Sequence, residues 1–337
     1  MSTPTTYEAI SPRTKAHVKA RFLKNAKAIM LIEQFGQIDA IPRNSTKTAI
    51  WRRYLPFPLA TAPLAEGVSP TGQQLSSEDV TAVLQQYGDK CAVTDIVTDT
   101  HEDRVLNGQI VPLLSQQARE TIETIRYNIL RAGTYATYSG GTTRATVAGS
   151  MTLSIQRKVT RLLKRNRAMQ VSKILRASAK IATDPIMPAF VGLCHTDLES
   201  DLRKMTGFID IAHYATEGEM KGEYGKCEEV RYGTSDLFRP WLAAGASGNT
   251  YITNGLEDGS TGNADVYPVL IFGQDAYALT PFAGNDAVEI FVKNPQPVIG
   301  DELAQRGFAS WKTLQAAAIT TQSWMHRVEC GASQTPS

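Results

Sequence analysis

One short segment concentrates the reactive side chains of this sequence. Cys194, His195, Asp197 and Glu199 place a thiol, an imidazole and two carboxylates close together. These are the ingredients of a nucleophile with its base, or of a metal site. No third ligand at metal spacing and no matching nucleophile spacing accompanies them. A structural reading stands beside the chemical one: the pattern passes here from strand to helix, and Asp197 would stabilise a helix N-terminus. His101, Glu102 and Asp103 likewise open a helical pattern, where acids are favoured anyway.

Other chemistry is sparse. Cys91, Cys194, Cys227 and Cys330 are far apart and form no CxxC pair, so four reduced thiols are expected, with neither a zinc site nor a disulfide framework. No phosphate-binding GxxxxGK[ST] loop, dinucleotide GxGxxG, HExxH or GxSxG is present. Asn44, Ser45 and Thr46 match a glycosylation sequon, which has no consequence without a secretory route. No catalytic residue, cofactor or metal is expected.

Charge is more informative than its net value of +2. No acid occurs from Ala9 to Ile32, which holds Arg13, Lys15, Lys19, Arg21, Lys24 and Lys27, nor from Thr124 to Thr183, which holds Arg157, Lys158, Arg161, Lys164 and Arg165 among others. The acids gather mainly between Asp184 and Glu302. Such sorting suits a basic face turned to a polyanion, recognised through phosphates and without sequence specificity. Two solvated helix faces would look the same.

The elements that carry these groups read as mixed α and β. Ser11 and Pro12 open a basic helix with an apolar stripe at Val18, Phe22, Ala26 and Ile29, ending near Gly36. Thr48 to Leu55 and Val80 to Asp95 read as strands, separated by a tip whose prolines and glycines exclude regular helix. Leu106 to Ile129 has helical periodicity up to Gly133, and Pro112 either kinks this helix or marks the first turn of its main part. A second helix runs from about Met151 to Arg167, with Ile155, Val159, Leu162 and Leu163 on one arc and the basic residues opposite. Ala189 to Cys194 reads as a buried strand and Thr196 to Lys204 as a helix capped by Thr196. Val266 to Phe272, Val288 to Val292, Phe308 to Ile319 and Trp324 to Cys330 read as strands. With 337 residues, 42% of them hydrophobic and 20% charged, the chain can bury a substantial core. The longest apolar stretch, Ala28 to Ile32, is too short to span a bilayer, and no secretory signal is expected at the start.

Taken in order, several stretches resemble the N-four-type major capsid family of tailed phages, which has the Hong Kong 97-type capsid fold. They are Ile50 to Tyr54 (IWRRY), Thr61 to Gly72 (TAPLAEGVSPTG), Leu84 to Asp89 (LQQYGD), Thr98 to Asp103 (TDTHED), Leu162 to Asn166 (LLKRN) and Phe190 to Asp197 (FVGLCHTD). Asp265 to Tyr277 (DVYPVLIFGQDAY), Gln305 to Gly307 with Trp311 and Lys312, and Trp324 to Glu329 (WMHRVE) complete the set, which spans roughly Ser11 to Cys330.

The resemblance implies an α+β capsid fold with an N-terminal arm (1–45), an extended β-hairpin loop (46–94), a peripheral domain with a long spine helix (95–134), a mostly axial domain (135–291) and returning peripheral strands with a tail (292–337). It implies a virion head protein, made in the host cytoplasm, that self-assembles into hexamers and pentamers around double-stranded DNA. Its partners would be copies of itself, a portal protein at one vertex, scaffolding and decoration proteins where present, and DNA through non-specific contact, with no membrane. Candidate interface residues in the extended loop are Trp51, Arg52, Arg53, Tyr54, Leu64, Glu66, Leu84 and Tyr87. Candidate DNA-facing residues are Arg13, Lys15, Lys19, Arg21, Arg157, Lys158, Arg161 and Lys164. Some capsids of this fold weld subunits through a loop lysine, but Tyr54 to Asp89 contains none, so no weld at the tip is expected. The rival reading is a soluble α/β enzyme or ligand-binding protein centred on His195 and Asp197.

Overall fold

A computed structural model of the chain describes residues 30–42, 46–63, 66–67, 69–100, 110–176, 182–213, 220, 222–248, 250–255, 262–281, 288–297 and 301–334. The basic helix expected near the start and the cluster at His101 to Asp103 lie outside these residues. The first strands are β1 (Gln37–Ile38), β2 (Thr48–Tyr54), β3 (Ser77–Val83) and β4 (Gln85–Thr94), followed by the helices α1 (Asp95–Thr100) and α2 (Val111–Leu130). Then come β5 (Ala136–Tyr138), α3 (Leu153–Arg165), β6 (Val171–Arg176), β7 (Ala182–Cys194), α4 (Glu199–Arg203), β8 (Phe208–Asp210), β9 (Glu223–Cys227) and β10 (Val230–Thr234). The last strands are β11 (Ser247–Gly248), β12 (Gly262–Asn263), β13 (Tyr267–Phe272), β14 (Tyr277–Pro281), β15 (Val288–Lys293), β16 (Arg306–Ile319) and β17 (Met325–Cys330).

β16 is the axis of a five-stranded sheet. One edge pairs antiparallel with β4, from Arg306 opposite Thr94 to Gln315 opposite Gln85. The other edge pairs with β15 and then β14, and β1 adds to β14 in parallel. The strand expected from Val80 to Asp95 therefore divides at Leu84. Its first part pairs with β2, whereas its second part is claimed by β16, a partner far along the chain.

Alternation along β16 buries Ala309 and Trp311 against Leu114 and Ala118 of α2. Pro112 sits in the first turn of α2, where its missing N–H costs nothing. Tyr127 and Leu130, near the other end, pack with Leu270, Phe272, Tyr277 and Met325. One helix thus spans both sheets. The carbonyls of Arg131 and Gly133, just past its end, accept bonds from the Arg327 guanidinium, a cation placed where the helix dipole favours one.

The second sheet runs β5-β17-β13-β7-β10-β9-β8, with β6 on the early part of β7. Every residue of β13 and β17 is buried, as expected for strands covered on both faces. Leu270 and Phe272 face the α2 cluster, while Val269 and Ile271 pack with Val159 and Leu163 of α3.

A buried carboxylate fixes the first described segment. Glu123 of α2 accepts the backbone N–H groups of Leu31 and Ile32 at 2.8 and 2.9 Å, supplying from another element the cap that the 3-10 turn Ile32–Gln34 lacks. Burial pushes the Glu123 carboxyl above its usual range, against the pull of the two amides. Tyr277 donates to the Ile32 carbonyl at 2.6 Å, and its ring lies so close to Gly36 that any side chain there would collide.

Candidate assembly and charge-bearing surfaces

The His195 cluster is assembled as a helix cap. The His195 side chain accepts the Asp197 amide through Nδ1 at 3.1 Å, so His195 is the cap of this turn in place of Thr196. Thr196 begins the 3-10 turn itself, one position too late to cap it. The same Nδ1 lies 3.2 Å from the Asp197 carboxylate. Asp197 is held below the usual carboxylate range by His195 and by the Tyr267 hydroxyl, which donates to it at 2.7 Å. Cys194 is fully buried, and burial pushes its thiol up, away from the nucleophilic thiolate. Among the described residues no disulfide joins any of the four cysteines. Among the described residues no cluster of His, Cys, Asp and Glu is placed to hold a metal ion, and no helix is long and apolar enough to cross a membrane.

The hairpin β2–β3 has two unlike faces. Thr48 opposes Val83 and Tyr54 opposes Ser77, which puts Ala49, Trp51 and Arg53 on one face and Ile50, Arg52 and Tyr54 on the other. The first face lies on the body: Ala49, Trp51 and Val80 pack around buried Ala82 and Leu84, and Trp51 donates to Asp39 at 2.9 Å. Arg53 bonds Glu78 across the hairpin and reaches Thr321 at 2.6 Å. On the second face Arg52 makes a bidentate pair with Asp79, two bonds of 2.8 Å that hold Asp79 low and Arg52 high. Around this pair, Ile50 is 60% exposed and Tyr54 59%. Toward the tip Phe57 is 54% exposed and Leu59 82%, with Leu55 and Leu75 also open.

The candidate interface residues therefore separate. Leu84, at 1% exposure, belongs to the chain's own core, because β4 turns into the body there. Tyr87 packs partly against the α2 contact. Glu66 is exposed, as are Arg52, Arg53 and Tyr54, while Leu64 lies outside the described residues. Ile50, Phe57, Leu59 and Leu75 were missed by sequence reasoning. The two-residue period from Ile50 through Arg52 to Tyr54 was the available signal for the first.

Arg13, Lys15, Lys19 and Arg21 lie outside the described residues. The other basic candidates are on α3, which Thr152 caps by accepting the Ile155 amide. Its buried arc contains Gln156, Val159, Thr160 and Leu163, whereas Ile155 and Leu162 are only partly covered. Gln156 is inside because both ends of its amide are used: it donates to the Cys227 carbonyl at 2.7 Å and accepts from Tyr232 at 2.8 Å. Opposite, Arg157, Lys158, Arg161, Lys164 and Arg165 are all exposed. Arg157 pairs with Glu228 and Lys164 with Glu229, both in the β9–β10 turn, and Arg157 holds the Glu228 carboxyl below its usual range.

Two buried carboxylates escaped sequence reading. Asp265 accepts the amides of Ala243, Asn254 and Gly255 at 2.7, 3.0 and 2.6 Å, drawing two loops together with all three residues at positive φ. Glu329 receives Arg144 through two bonds of 2.7 and 3.0 Å and Arg327 through one of 2.7 Å, with the Arg144 guanidinium 3.6 Å above the Trp241 ring.

Comparison with known proteins gives these surfaces a context. No curated protein matches the chain in sequence. Among solved structures, the capsid of cyanophage P-SCSP1u matches with a TM-score of 0.61 at 10% identity, covering 94% of this chain and 93% of that one. The capsid of cyanophage Pam1 gives 0.57 at 14% identity, covering 96% and 100%, and that of Ralstonia phage GP4 gives 0.56 at 10%, covering 97% and 100%. At such identities the likeness establishes the fold, the α+β Hong Kong 97-type capsid fold. The family model described as phage capsid protein matches residues 77–322. The chain therefore belongs to the phage capsid protein family, as a major capsid protein that self-assembles to form the head.

Proposed function

We propose that the subunit closes into hexamers and pentamers around double-stranded DNA, with the β2–β3 hairpin as its overlap onto a neighbouring copy. The observation that carries this reading is the outer face of the hairpin. Ile50 and Tyr54 on that face, and Phe57 and Leu59 beyond the paired strand toward the tip, are large apolar side chains left exposed. Exposed groups of that kind mark a contact with another molecule, and exchanged loops give a shell large interfaces without a large body. The division into arm, extended loop, spine-helix domain, axial domain and returning strands belongs to the same reading, with β4 held by β16 at the base of the loop. So do synthesis in the host cytoplasm, a portal protein at one vertex, and scaffolding or decoration proteins. Residues 54 to 89 hold no lysine, so the overlap is non-covalent at the tip. His195 and Asp197 act as a cap and perform no catalysis.

The test is Phe57→Asp with Leu59→Asp. Both side chains are already in water, so the variant subunit keeps the melting temperature of the parent subunit. Megadalton shells should vanish from light scattering and electron micrographs. Normal shells from this double variant would overturn the hairpin's role.

A further inference from the structure

We propose that Lys158, Arg161 and Arg165 form a phosphate-binding ridge for duplex DNA, and that their neighbours Arg157 and Lys164 stand outside it. This rests on the reading that the shell encloses DNA, and it replaces a uniformly basic helix face with a defined subset.

Ion pairing on α3 separates the two sets. At about 100° per residue, Lys158, Arg161 and Arg165 fall within an arc of about 60°, and Arg157 and Lys164 lie on the flank beyond Arg161, about 40° to 60° further round. That second flank meets the β9–β10 turn, where Glu228 and Glu229 take up the two cations. Glu228 holds a left-handed backbone, φ 50°, at the turn that presents it. A phosphate approaching Arg157 or Lys164 must displace a carboxylate already in place. Lys158, Arg161 and Arg165 are exposed and form no ion pair among the described residues.

The ridge is also fixed in orientation. Val159 and Leu163 are buried in the core of the large sheet, and Gln156 is bonded at both ends of its amide, so α3 cannot roll to present its paired flank. Along the axis the three cations are spaced by about 4.5 and 6 Å.

Charge complementarity selects the occupant. Duplex DNA carries a charge about every 1.7 Å of its axis, so a ridge of about 10 Å passes roughly six phosphates and finds partners in any register. A protein partner would need carboxylates at matching positions. Residues 124 to 183 contain no acid, so the sequence around the ridge adds no competing carboxylate of its own.

The experiment measures binding of the full-length protein, kept below its assembly concentration, to a fluorescent 25-base-pair duplex over a series of salt concentrations. Two variants are compared: K158Q/R161Q/R165Q and R157Q/K164Q. Each phosphate contact contributes about 0.9 to the slope of log affinity against log salt. The ridge variant should lower that slope by about 2 to 3, and the paired-flank variant by less than 1. K158R/R161K/R165K, which keeps the charges, should restore wild-type binding and guards against misfolding as the cause. Equal losses in both variants, or an unchanged slope in the ridge variant, would overturn the proposal. Shell formation is scored on the same proteins by electron microscopy. Ridge variants that lose shells but bind duplex normally would show a subunit interface instead, whereas a wild-type chain that never forms shells would count against the capsid reading alone.

Discussion

Strands β13 and β2 are nearly equal in length and both rich in apolar or aromatic residues, yet their surroundings are opposite. β13, YPVLIF, has all six residues buried, with alternate side chains in two cores. β2, TAIWRRY, has no fully buried residue, and its outer face carries an arginine between two exposed apolar groups. Composition alone does not explain this. β13 has strands on both sides and helices over both faces, whereas among the described residues β2 has one partner strand and body on one face only. Apolar surface in β13 stabilises the subunit, while apolar surface on the hairpin stays exposed, and in the function proposed above it serves association.

That contrast can be attacked at both ends. The largest effect should come from Phe272→Ala in β13, which empties a site shared with Phe35, Tyr127 and Tyr277 and should cost about 3–5 kcal/mol by denaturant unfolding. A loss below about 1 kcal/mol would mean that this strand is not the core it resembles.

A slightly smaller effect is expected from pH. His326 of β17, bonded to the Thr137 hydroxyl at 2.7 Å, has its pKa pushed down to about 4 by burial first, and then by Lys158 and Arg327. The folded state thus disfavours the proton relative to an unfolded histidine near 6.5. Its contribution is complete above about pH 6.5 and is lost as pH falls toward 4, amounting to about 3 kcal/mol at most. His326→Gln should flatten that part of the stability profile. A variant with the parent's slope would show that the ring is protonated in place without penalty.

Glu123→Ala should be smaller again, about 1–3 kcal/mol, because it strands two buried amides. Hydrogen exchange at Leu31 and Ile32 should quicken in that variant, while Glu123→Gln, which keeps an acceptor, should preserve much of the protection. The smallest effect belongs to the hairpin. Arg52→Ala removes an exposed pair and should leave subunit unfolding unchanged, so any marked loss of shells would be attributable to association.

What the sequence made legible follows from the range over which each feature is encoded. Helical periodicity located α3, and the position of Pro112 offered the first turn of α2 as one of two outcomes, because both depend on neighbours a few residues away. The division of the second hairpin strand at Leu84 was hidden, since the competing partner β16 begins more than two hundred residues later. The two salt bridges that subdivide the α3 basic face were hidden for the same reason. The burial of Gln156 had no sign in the sequence, because polarity predicts exposure only where no buried partners wait, and Cys227 and Tyr232 are distant in sequence. The reactive look of His195 and Asp197 had a local cause, a turn that needed capping. Its details required knowing which side chain faced which amide.

The clamp made by Asp265 carries a consequence for divergence. One side chain dictates the path of two loops by holding the amides of Ala243, Asn254 and Gly255. Amides are common to every residue but proline, so much of this corner's shape is written at position 265 and little in the loops it gathers. Those loops are free to drift in sequence, provided that each clamped position still tolerates a left-handed backbone. A lineage could rewrite that surface many times over without redesigning the fold beneath it.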